Sequence, residues 1–97
     1  MVKGYWIAHV DVEDFETYKK YIAANAAPFA EYGGQFLVRA GTQEVVEGAA
    51  RARTVVIEFP SYAQALACYH SDSYKAAKAI RDSVSDSDLV IIEGYSG

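Results

Sequence analysis

One cysteine, two histidines and two prolines are all that 97 residues hold of these three types. A lone thiol closes no disulfide within the chain, so no disulfide framework is expected, and a reduced, cytoplasmic setting is. No apolar run approaches the roughly 18 residues that a membrane helix needs, and no leader-like segment opens the sequence, so neither a membrane span nor secretion is expected. Positive charge is also scarce. Nine Lys and Arg stand against thirteen Asp and Glu, for a net charge of -4. With no basic cluster to offset it, this charge disfavours nucleic acid and anionic lipid as partners. A zinc or iron site draws three or more ligands from His, Cys and carboxylates, and with so few of the first two no metal is expected. The G-x-G-x-x-G, P-loop, G-x-S-x-G and H-E-x-x-H patterns are all missing, which leaves phosphate cradles, elbow-type serine hydrolysis and zincin chemistry without support. No cofactor is expected either.

What is present is a single globular domain. The sequence is 52% hydrophobic and 23% charged, close to globular averages, and eight tyrosines are many for its length. Lys3 to Val12 is rich in β-branched and aromatic residues and reads as a strand ending in the acidic turn Asp11-Val12-Glu13-Asp14. Asp14 suits a helix N-cap. Phe15, Tyr18, Ile22, Ala26 and Phe29 follow at helical spacing, with Pro28 expected to kink or restart the helix and Gly33-Gly34 to end it. Gln35 to Gly41 and Arg53 to Phe59 read as two further strands forming a hairpin, with a turn near Gly48-Ala49-Ala50. Ser61 with Gln64 fits a capping box, so a second helix starts at Tyr62, and Ser71 interrupts it and caps a continuation through Tyr74, Ala77, Ile80 and Val84. Asp88 to Tyr95, with its run Leu89-Val90-Ile91-Ile92, makes the last strand. The order β-α-β-β-α-β predicts an α+β, ferredoxin-like domain whose antiparallel sheet runs 4-1-3-2 with its helices on one face.

Alternation along the strands sorts side chains onto two faces. Ile7, Phe36, Val38, Val55, Ile57 and Phe59 form a uniformly apolar set, expected under the helices. Trp6, Ala8, Val10, Leu37, Arg39, Val56 and Glu58 form the other set. That second face is too apolar for open solvent, and a second copy of the same sheet is its simplest cover, so a homodimer is expected. A turn centred near Gly48 and Ala49 would set Arg39 opposite Glu58, either as a pair buried in the dimer face or as an ordinary exposed cross-strand pair.

The run Tyr32-Gly33-Gly34-Gln35-Phe36-Leu37-Val38-Arg39, then Val56-Ile57-Glu58-Phe59-Pro60-Ser61, Tyr69-His70-Ser71, Tyr74 and Arg81, resembles a bacterial family known as domain of unknown function number thirteen-thirty. The likeness spans nearly the whole chain. It implies membership of the dimeric α+β barrel superfamily, in which two ferredoxin-like protomers pack sheet to sheet. Relatives there include cofactor-free monooxygenases, muconolactone isomerase and haem-binding peroxidase-like proteins. The family itself has no established reaction. The chain departs from the family pattern at Ala40, where Arg-Gly-Gly is usual, at Cys68, where an aromatic is frequent, and at Asp72, where proline is common.

Candidate chemistry gathers around the two histidines. Tyr69, His70 and Tyr74 lie where the second helix breaks, and His70 is either a general base or a helix-end cation favoured by the dipole. His9 and Asp11 share one strand face, so the carboxylate could orient the imidazole, as in a strand-end hydrogen bond. Cys68 as a nucleophile activated by His70 is opposed by a spacing of two on a helix, which points the side chains apart, and a buried inert thiol is the competing reading. These residues predict a small-molecule pocket between sheet and helices lined by Tyr5, His9, Tyr69, His70 and Tyr74, with cofactor-independent acid-base or oxygen chemistry on a small organic ligand. The alternative is a noncatalytic binding or assembly module in which the same polar groups only stabilise the fold.

Overall fold

The computed structural model of the protein describes residues 2–96. Strand β1 (Gly4–Val12) leads into helix α1 (Phe15–Glu31), which is followed by β2 (Gln35–Arg39), β3 (Arg53–Phe59), α2 (Tyr62–His70), α3 (Asp72–Val84) and β4 (Ser85–Glu93). The four strands form one antiparallel sheet in the order β2-β3-β1-β4, the expected ferredoxin-like arrangement. None of the helices among the described residues is long and apolar enough to cross a membrane.

Local chemistry explains the helix boundaries. Asp14 accepts the Thr17 N–H at 3.2 Å and the Thr17 hydroxyl at 2.8 Å, capping α1. Pro28, expected to kink or restart the helix, does not restart it. It sits in the last turn, its ring is buried, and its carbonyl still accepts the Tyr32 N–H, so only one intrahelical bond is lost. Gly33, at φ 78°, lets the chain turn back so that the Gly34 N–H reaches the Phe29 carbonyl at 2.7 Å. Ser61 caps α2 by accepting the Gln64 N–H, which is the hydroxyl half of the expected capping box. The hydroxyl of Ser71 then does two jobs. It donates to the Cys68 carbonyl at the end of α2 and accepts the Tyr74 N–H at the start of α3. That one side chain produces the predicted bend.

The core lies between sheet and helices. Trp6, Val10, Ile57 and Phe59 from the strands meet Tyr18, Phe29, Ala65, Cys68 and Tyr74 from the helices, all at most 3% exposed. Trp6 is central: its indole N–H donates to the Ala65 carbonyl at 2.8 Å, and it makes edge contacts with Phe29, Tyr69 and Tyr74. Gly4 permits this approach of β1 to α2, because a Cβ there would come within 2.6 Å of the Tyr62 backbone. The fold is 17 Å through its thinnest direction, room for one sheet and one layer of helices, and on the second sheet face the 40–52 connection reaches Thr54 through Gln43.

Three face assignments change. Register pairs Trp6 with Ile57, Ala8 with Val55 and Val10 with Arg53, so Trp6, Ala8 and Val10 lie under the helices and Ile7 lies on the open face, the reverse of expectation. In β2 the alternation is interrupted between Phe36 and Val38, where a bulge shifts the register. Phe36 faces the helices opposite Ile57, Val38 lies opposite Val56 on the open face, and Arg39 lies opposite Val55 on the helix face. The expected Arg39–Glu58 pair therefore does not form: Glu58 stands opposite Gln35 and takes contacts from the Tyr5 hydroxyl at 3.4 Å and Lys3 at 3.8 Å. Residues 40–52 make a long irregular connection in place of the tight turn that the pairing required.

Candidate functional site

The five residues expected to line one pocket are separated by the sheet. Tyr5 and His9 point to the open face. His9 Nδ1 lies 3.1 Å from the Thr54 hydroxyl, whose own proton goes to Gln43, so the imidazole donates from Nδ1. Asp11 is not its partner, contrary to expectation. It binds the Ala52 N–H and Arg51, which together hold its carboxyl below the usual range, and Arg51 also reaches Asp88. His70 is exposed at the end of α2, beside Tyr69. Tyr69 and Tyr74 alone are brought together, packed on Trp6. Cys68 is fully buried with its thiol toward the Pro28 carbonyl, and burial, helped by Glu31, pushes that thiol up to about 12. It is protonated at neutral pH and therefore a poor nucleophile.

A cavity does exist between sheet and helices, lined by other side chains. It is a narrow cleft between α1 and the helix face of the sheet, with about 30 Å³ of space open to water-sized molecules. Trp6, Phe29 and Phe36 wall one side, with Phe29 edge-on to both of the others at 5.1 and 5.5 Å. Tyr18, Tyr21 and Asn25 enter from α1 at spacings of three and four, so the buried stripe of this helix is Tyr18-Tyr21-Asn25-Phe29 rather than the expected stripe through Ala26. Asn25 was the legible signal, an amide on an apolar helix face.

Three arginines from three elements complete the lining: Arg39 at the end of β2, Arg53 at the start of β3 and Arg81 in α3. Each guanidinium lies against an aromatic ring, Arg39 at 4.0 Å from Phe36, Arg53 at 5.3 Å from Tyr18 and Arg81 at 5.8 Å from Tyr21. Tyr74, expected in the pocket, stands behind its wall. Its hydroxyl accepts from Arg81 at 2.9 Å and lies 2.7 Å from the Tyr21 hydroxyl, which fixes two lining residues at once. Burial first, and then Tyr21, push the Tyr74 hydroxyl far above the ordinary tyrosine range, so it stays neutral. Three buried polar atoms have no partner among the described residues: Asn25 Oδ1, Arg53 Nε and Arg81 Nε, all from cavity-lining residues. Among the described residues no group of three or more metal-ligating side chains occurs.

The α+β, ferredoxin-like fold is shared with solved structures of low sequence identity. A protein of unknown function from Rhodopseudomonas palustris is similar over 99% of this chain and 85% of its own, at 16% identity and a TM-score of 0.79. A cofactor-independent oxygenase from Streptomyces nogalater is similar over 100% and 97%, at 12% identity and 0.66. A dimeric ferredoxin-like protein of unknown function from Thermobifida fusca is similar over 94% and 90%, at 17% identity and 0.63. No curated protein matches the sequence. The chain belongs to the family described as Domain of unknown function (DUF1330), which matches residues 3–95.

Proposed function

We propose that the protein is a homodimeric α+β barrel that binds one small organic molecule per chain in the cavity between α1 and the sheet. The observation that carries this reading is the convergence on one cavity of aromatic walls with three buried polar atoms that have no partner among the described residues. A buried polar group without a partner is costly, and a ligand that supplies the missing bonds removes that cost. Likeness in fold to the Streptomyces nogalater oxygenase supports a small-molecule role, and likeness to the dimeric Thermobifida fusca protein supports assembly through the open face.

The lining bears guanidinium, amide and phenol groups, which bind and polarise a ligand, and no imidazole. Any reaction in the cavity would therefore draw on charge stabilisation of the ligand, with oxygen as co-reactant, and not on a histidine base. The same lining also suits the noncatalytic alternative, a binding module. A fragment screen followed by protein NMR tests the site. Hits should shift the Trp6 indole and Asn25 amide signals together and leave His9 unmoved. Hits confined to His9 and the 40–52 connection, or none, would overturn the assignment.

A further inference from the structure

The geometry points to the class of ligand: a small organic anion, a carboxylate, enolate or phenolate on a planar apolar body, with its charged oxygens received by Arg53 and Arg81. This rests on the cavity reading above and narrows it. The chain carries a net charge of -4, yet its cavity lining contains three arginines and, among the described residues, no carboxylate. Neither Arg39 nor Arg53 has an acidic side chain within 4.0 Å among the described residues. Arg81 is 5% exposed. Its one acidic neighbour, Asp82, lies 3.5 Å from Nη2 at the half-exposed helix surface and is shared with Lys78, which holds it at 2.6 Å. Cationic charge thus exceeds anionic charge on the cavity side.

Hydrogen-bond stereochemistry agrees with the charge. The Nε–H groups of Arg53 and Arg81 are buried donors that lack acceptors, and a planar oxyanion is the acceptor that guanidinium geometry fits best. Stacking on Tyr18 and Tyr21 holds both guanidiniums in place before a ligand arrives, so little freedom is lost on binding. The apolar end of the cavity, walled by Trp6, Phe29 and Phe36, takes the ligand body.

The test compares acids with their neutral alcohols on the intact chain. Benzoate against benzyl alcohol, and 1-naphthoate against 1-naphthalenemethanol, are titrated by protein NMR with the Trp6 indole as the cavity signal. One or two charge-assisted bonds should favour each acid by about ten- to a hundredfold. Rising salt should weaken the acids and spare the alcohols. Arg53→Met should cut the preference for acid over alcohol about tenfold by removing one such bond, while Arg53→Lys keeps part of it. Equal binding of acid and alcohol by the wild-type chain overturns the anion assignment and leaves the pocket standing. A preference that survives Arg53→Met undiminished overturns the role of Arg53. Failure of all four compounds to move the Trp6 signal removes the cavity as a site, and this inference with it.

Discussion

Both faces of the sheet carry large apolar residues, and they differ in what lies on them. Under the helices, Trp6, Val10, Ile57 and Phe59 are at most 3% exposed. On the open face, Val38, Val90 and Ile92 are between 41% and 54% exposed. The helices supply cover for one face within the chain, and the other, where Ile7, Val38, Val90 and Ile92 stand beside His9, Thr54 and Glu58, is the face proposed to meet a second chain.

Truncation on each face breaks this comparison most directly. Phe59→Ala opens a void in a fully covered site and should lower stability by about 3–5 kcal/mol in denaturant unfolding. Ile92→Lys, on the open face, should leave the folded protomer intact and halve the mass seen by light scattering, since a charge is placed where two sheets are proposed to meet. Equal loss of folding from both substitutions would mean that the open face belongs to the protomer's own core. A smaller effect concerns Arg39 and Glu58, which the bulge places on opposite faces. Arg39→Ala should cost under about 1 kcal/mol, mostly its contact with Phe36, and its effect should add to that of Glu58→Gln. A coupling well outside additivity in the double mutant would restore the pair. The smallest effect is at Ala40, which holds φ 57° in the left-handed region where the resemblance places glycine. Ala40→Gly should raise stability by about 0.5–1 kcal/mol by relieving that strain, and a fall in melting temperature would show that the strain is not there.

The same comparison shows what could be read from sequence. In β3 the alternation of Val55, Ile57 and Phe59 with Val56 and Glu58 carries contrast, and the faces were legible. In β1 Tyr5, Trp6 and Ile7 are all large and apolar, so periodicity gave no contrast and the assignment inverted. In β2 the bulge adds a residue that no pattern announces. Caps were legible because Asp14, Ser61 and Ser71 each act on the N–H group three residues away. The cavity was not, because Arg53 and Arg81 lie 28 residues apart in sequence on a strand and a helix, and each looks like a solvated surface arginine.

The bulge in β2 also bears on how this protein tolerates changes of length. Val38 and Arg39 already sit opposite Val56 and Val55, so Leu37 is the surplus residue of the strand. Loss of Leu37 would leave an ordinary alternating strand with Phe36 and Arg39 still turned to the cavity. Loss of one residue from β3 would instead transpose part of the strand between core and exterior. The edge strand thus carries a spare position, and natural shortening of the chain would be accommodated there before it could be accommodated at its neighbour.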